Sequence, residues 1–148
     1  MIYYIYGKKI KIKCRGIIFY EGKLLLVKHP GDVENYALPG GKLEYGEKIL
    51  DTIKREILEE FGIKSEIGRL LYVNNYIEKD GINYIEFFFE IKNVKDFISI
   101  DSFNGIYKDE LSEIVWKDQK DEIKILPEQI KIDFQNGKLL EQEVKFVS

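Results

Sequence analysis

The run from Gly41 to Ile63 constrains this chain more than any other, because it joins the marks of a complete helix to a charge pattern that helices rarely carry. From Glu47 to Phe61 there is no proline or glycine, and Ile49, Leu50, Ile53, Ile57 and Phe61 recur at helical spacing. Such spacing gathers apolar side chains on one face of an α-helix. Gly46 breaks the chain just ahead, Glu47 is expected in the first turn where the helix dipole favours an anion, and Gly62 offers a left-handed stop. The spacing predicts a helix over 47–61. On it Glu56, Glu59 and Glu60 stand at i, i+3 and i+4 and converge, with Lys54 and Arg55 the nearest bases. Carboxylates bunched in this way repel one another. A solvated acidic stripe is the plain reading. The chemical reading is a site for a hard divalent cation, Mg2+ with Mn2+ as a substitute, since oxygen donors without His or Cys suit it and magnesium commonly keeps positions for phosphate oxygens.

The neighbours of the triplet favour the second reading. Gly41 is followed by five residues, Glu47, seven residues, and then Arg55, Glu56, Ile57, Glu59, Glu60, Gly62 and Ile63 in fixed order. This arrangement resembles, without a mismatch, the signature box of the Nudix hydrolases. Upstream, Leu24 to His29 and Ala37 to Lys42 look like the strand and loop ahead of that box, whereas beyond Ile63 the likeness is one of architecture. The resemblance implies an α/β/α sandwich with a mixed β-sheet between helices, and hydrolysis of a phosphoanhydride in a nucleoside diphosphate linked to another group. It implies that Glu56, Glu59 and Glu60, with the carbonyl of Gly40, hold the metal, and that one carboxylate, here Glu56, takes the proton from water. Arg55 is expected to orient a carboxylate by a bidentate pair, and Glu47 to close the loop onto the helix.

Related enzymes recruit a further carboxylate from later in the chain, for which Glu113 is the candidate and Glu110 the reserve. Lys28 and His29 end a strand expected to point at the cleft and are candidates for substrate phosphates. Leu38, with Tyr36, Tyr72 and Tyr76, could face a nucleobase. ADP-ribose-specific relatives carry a proline at a set distance past the box; the matching region here is Glu78, Lys79 and Asp80. The marks of the NADH and coenzyme A branches are also missing. What remains is a nucleoside triphosphate or related small phosphoanhydride, such as a dinucleoside polyphosphate or nucleotide sugar, with a role in pool sanitation. A domain that senses a ligand without cleaving it is the rival reading, and the retained box carboxylates argue against it.

At 148 residues the chain is expected to form a single domain over 1–148. A net charge of -3 gives no case for long nucleic acid, so the expected partner is a small nucleotide. A homodimer is left open. The single cysteine, Cys14, excludes an internal disulfide, reads as a buried strand residue and suits a reducing, cytoplasmic setting. The apolar opening up to Tyr6 is too short for a signal core or a membrane span.

Along the chain, strands are expected over 2–6, 10–20, 23–29, 66–78 and 82–92, the last two joined by Lys79-Asp80-Gly81. Phe87, Phe88 and Phe89 place the last of these inside a sheet. An irregular excursion follows over 93–109, then a strand over 112–117. Helices are expected over 121–126 and 128–134 with Pro127 in a first turn, and a strand within 139–147.

Overall fold

Lysines alternating with Ile10, Ile12 and Cys14 form strand β2 (Lys8–Ile17) in the computed structural model, which describes residues 2–5, 8–32, 35–100, 111–141 and 143–148. Strand β1 (Ile2–Ile5) pairs antiparallel with its start, and β5 (Gly40–Lys42) with its end. The expected strand over 10–20 is broken at Ile18, after which β3 (Phe19–Tyr20) belongs to a second sheet with β4 (Lys23–Lys28) and β8 (Glu113–Asp118). Ile17 and Ile18 are both fully buried, one in each of the two cores, as alternation along an extended chain requires.

The larger sheet runs β1-β2-β7-β6-β9, where β6 is Ile67–Ile77, β7 is Asn83–Ile91 and β9 is Lys145–Val147. It is mixed, because β7 lies parallel to β2 and β9 parallel to β6, while β6 and β7 form an antiparallel hairpin. The phenylalanine run lies on the central strand, as its two-sided apolarity required: Phe88 enters one core and Phe89 the other.

Helix α1 (Ile49–Phe61) buries Ile53, Ile57 and Phe61 completely against Cys14, Phe89 and Ile91 on one face of this sheet. Each such side chain is worth about 2 kcal/mol of hydrophobic stabilisation. Helix α2 (Glu128–Gln135) packs Ile130 and Phe134 against the opposite face, where Ile17, Tyr72 and Phe88 lie. The molecule is therefore a mixed sheet between two helices.

Three expectations are corrected. Helix α1 starts at Ile49, so Glu47 precedes it and Asp51 is the acid of its first turn; Gly62 does end it in a left-handed conformation. Residues 121–126 are not helical. Ile123 and Ile125 are buried while Glu122 and Lys124 are exposed, the two-residue alternation of extended chain, and Leu126 precedes a proline that disfavours helix before it. Pro127 caps α2 instead of standing in its first turn. The last strand is confined to β9. Of the excursion over 93–109, the first part contains a short 3-10 turn, Val94–Phe97, and the rest lies outside the described residues, as does Glu110.

Candidate active site

The acidic face of α1 is organised around Arg55. Its Nε and Nη2 donate to the two carboxylate oxygens of Glu47 at 2.7 and 3.1 Å, a bidentate pair. Its Nη1 donates to Glu56 Oε1 at 2.9 Å and Glu59 Oε2 at 3.2 Å, and Nη2 also reaches the carbonyl of Lys42 at 2.9 Å. Glu47 further accepts the Thr52 hydroxyl at 2.7 Å and the Glu44 amide. The Arg55 hydrogen bond holds Glu47 well below the usual carboxylate range, at about 2, and the same contact pushes Arg55 up. With Glu44 at 3.8 Å from Nη1, one guanidinium thus faces four carboxylates, and Glu60 adds a fifth on the same helix. Among the described residues no three carboxylates are gathered at metal-binding distance; those of Glu56 and Glu59 are turned onto Arg55.

Beside this face runs β5, and its two glycines are required by what lies over them. Gly40 has φ +140°, and a Cβ there would stand 2.0 Å from the Cys14 carbonyl oxygen, so only glycine fits. Its amide donates to Glu60 Oε1 at 2.9 Å, fixing a buried carboxylate of α1 to the sheet. A Cβ on Gly41 would stand 2.4 Å from the Glu56 carboxyl carbon, so the bare backbone is the bed on which that carboxylate rests. Beneath them Cys14 is wholly buried, and burial pushes its thiol up to about 12, which leaves it unreactive.

On the other face of the sheet lies a cavity of about 500 Å³. Arg15, Asn74, Glu86 and Phe88 from β2, β6 and β7 line it, Tyr36 and Tyr76 contribute aromatic surface, and Pro127 and Glu128 bring in the start of α2. Glu86 is buried, accepting Arg15 Nε at 3.2 Å and Asn74 Nδ2 at 3.1 Å. Burial, with Arg15 close by, pulls Lys13 on the same wall down to about 8. The cavity and the acidic helix are joined by 38–41. Leu38 lines the cavity, its carbonyl accepts Arg15 Nη1 at 3.1 Å, and two residues later Gly40 holds Glu60.

The model of the NUDIX domain matches residues 12–136. The chain belongs to the NUDIX domain family. An ADP-ribose pyrophosphatase of Methanocaldococcus jannaschii is 37% identical over 67 residues, which cover 44% of this chain and 40% of that protein. In three curated relatives the matched stretch spans 19 to 40% of their length. Among solved structures, a MutT NUDIX hydrolase from Burkholderia pseudomallei superposes with a TM-score of 0.67 at 22% identity, covering 86% of this chain and 98% of that one. A UDP-X diphosphatase superposes with a TM-score of 0.70 at 21% identity, covering 93% of this chain and 66% of that one. These two likenesses establish the Nudix fold.

Within this Nudix domain the residues singled out from the sequence fall into three groups. Glu56, Glu59, Glu60 and Arg55 come together on α1 with Gly40 alongside. Leu38 is buried at the joint to the cavity, and Tyr36 and Tyr76 line it, whereas Tyr72 is a core residue whose hydroxyl donates to Asp133 at 2.6 Å. Glu113 and Lys28 face each other across β8 and β4 and meet at Tyr36: its hydroxyl donates to Glu113 at 3.1 Å, and Lys28 Nζ stands 4.7 Å from its ring centre. His29 is exposed just past β4. Sequence reasoning missed Arg15, Asn74 and Glu86. The signal was there in Glu86, a carboxylate set in the otherwise apolar run of the central strand, where a charge needs partners.

Among the described residues, no helix is long and apolar enough to cross a membrane.

Proposed function

We propose that this protein hydrolyses the pyrophosphate bond of a nucleoside diphosphate joined to another group, with Mg2+ as its cation and Mn2+ as a substitute. The observation that carries the reading is the acidic face of α1 seated against two glycines, with Glu56 lying over Gly41 and Glu60 tied to the Gly40 amide. The donor set fits a hard cation: three carboxylates on one helix face, no nitrogen or sulfur, and a strand whose bare glycine backbone lets the Glu56 carboxylate lie against it. Glu56, Glu59 and Glu60 would hold the ion, with the Gly40 carbonyl as a further oxygen. When bound it neutralises phosphate oxygens and makes the attacking water more acidic.

The chain's own residues do the rest. Arg55 spreads its hydrogen bonds over Glu47, Glu56 and Glu59, which keeps the acids aligned and offsets their repulsion; it is a positioning residue. Glu56 is assigned the proton from water, as the box carboxylate that lies over the bare backbone of Gly41. The cavity receives the nucleoside end, and the phosphates cross the joint at 38–41. A nucleoside triphosphate is the substrate favoured by the missing subgroup marks. The second reading is ADP-ribose, for which the name of the Methanocaldococcus jannaschii relative speaks.

The test is a screen with Mg2+ against nucleoside triphosphates, ADP-ribose, dinucleoside polyphosphates and nucleotide sugars, with products separated by chromatography. Release of a nucleoside monophosphate that stops on adding EDTA is expected. A folded protein that cleaves none of them overturns the proposal in favour of a ligand-sensing domain.

A further inference from the structure

The cavity wall offers its polar groups in a fixed order. Asn74 Nδ2 binds Glu86 Oε1 and Arg15 Nε binds Glu86 Oε2, so the sequence across the wall is Asn74, Oε1, Oε2, Arg15. A carboxylate has about four lone-pair sites, so each Glu86 oxygen keeps room for one more donor. Arg15 has further N–H groups beyond those given to Glu86 and to the Leu38 carbonyl. Both side chains are locked: Arg15 is 14% exposed and Glu86 8%, so a ligand meets a preformed pattern of acceptor, acceptor, donor.

The charges around the cavity indicate which end of a nucleotide enters. Asp32, Glu78, Glu86 and Glu128 outnumber Lys13 and Arg15, which disfavours phosphates and favours a group rich in N–H donors. The volume suits a nucleoside, with Tyr36, Tyr76 and Phe88 as apolar and aromatic walls.

We propose that this cavity is selective for guanine, whose N2–H and N1–H donate to Glu86 Oε1 and Oε2 while its O6 accepts from Arg15. Guanine's pairing edge runs donor, donor, acceptor, the complement of the wall in the same order. Adenine sets its N1 acceptor against the carboxylate, cytosine its N3, and uracil a carbonyl, each leaving an acceptor facing an acceptor inside a buried site. The inference rests on the reading that the chain handles a nucleotide, and it makes ADP-ribose a poor fit. Glu86 and Arg15 are specificity-determining residues in it, apart from the helix carboxylates.

The test is calorimetric titration of the whole protein in EDTA with GMP, IMP, AMP, CMP and UMP. GMP should bind at least about tenfold more tightly than AMP, CMP and UMP. IMP, which lacks the 2-amino group, should bind about tenfold more weakly than GMP. Glu86→Gln, with an unchanged thermal midpoint, should lose the preference; the IMP comparison needs no variant and decides the matter if that variant misfolds. AMP or UMP binding as tightly as GMP, IMP equal to GMP, or no GMP binding at millimolar concentration overturns the inference. Hydrolysis without base preference sinks this inference and leaves the proposed reaction standing. Guanine-selective binding without hydrolysis of any nucleotide does the reverse.

Discussion

On α1 the groups that matter are near neighbours in the chain, Arg55 to Glu60, and a helix alone brings them to one face. The cavity draws Arg15 from β2, Asn74 from β6 and Glu86 from β7, which meet only because β7 pairs parallel with β2 and antiparallel with β6. The sheet keeps the two regions on opposite faces and lets them touch at 38–41. Chemistry built on one helix can stay constant while the other face is altered strand by strand. On the proposed function, catalysis and selectivity should therefore be separable by mutation, and the experiments that follow try to break that separation.

The largest effect is expected at Glu59. Glu59→Gln removes a charged donor from the acidic face and should lower hydrolysis by about a hundredfold or more. Because Glu59 lies on α1, GMP binding in EDTA should be unchanged. A parallel loss of both would show that the two regions work as one.

That local and non-local difference also decides what could be read in the sequence. The three acids and Arg55 are legible because helical spacing fixes their relative positions, and Gly62 marks where the helix stops. The bidentate partner of Arg55 is legible as a type but not as a residue, since Glu47 meets it through a loop. Glu86 could be suspected as a buried charge, yet its partners Arg15 and Asn74 follow only from strand register. The expected helix over 121–126 fails for a related reason: Ile123 and Leu126 stand at helical spacing, Ile123 and Ile125 at strand spacing, and packing against the core selects the second.

Gly40 and Gly41 test the joint. Gly40→Ala drives a Cβ into the Cys14 carbonyl at a φ that alanine resists, and should cost about 2 kcal/mol of stability, read as a lower thermal midpoint. At Gly41 the atoms nearest an added Cβ are those of the Glu56 carboxylate, the end of a side chain that can swing away. Gly41→Ala should leave the midpoint nearly unchanged and slow hydrolysis about tenfold by displacing Glu56. Equal effects from the two substitutions would mean that Glu56 does not use the Gly41 bed.

Glu47 tests the acidic region by pH. Its carboxyl is held at about 2 against an ordinary 4.5, chiefly by Arg55. A carboxylate with a depressed folded-state pKa contributes stability above its unfolded value, and that contribution fades as pH falls from about 4.5 toward 2. Glu47→Gln should lower the thermal midpoint at neutral pH, and the gap to the unmodified protein should close over that acid window. A gap that persists at pH 2 would assign the stabilisation to packing instead of the ion pair.

The smallest effect is expected at Lys28, and it sharpens the comparison most. Lys28, a candidate for phosphate contact, holds its ammonium over the Tyr36 ring, with Lys117 5.2 Å from the same ring centre, and Tyr36 lines the cavity. Removing one of two cations from a partly exposed ring is worth about 0.5–1 kcal/mol. Lys28→Ala should therefore raise KM about threefold and leave kcat unchanged, the signature of weaker binding shared by substrate and transition state. If kcat falls instead and KM holds, Lys28 acts on the reacting phosphates. The boundary between the two regions would then run through β4 of the smaller sheet and not along 38–41.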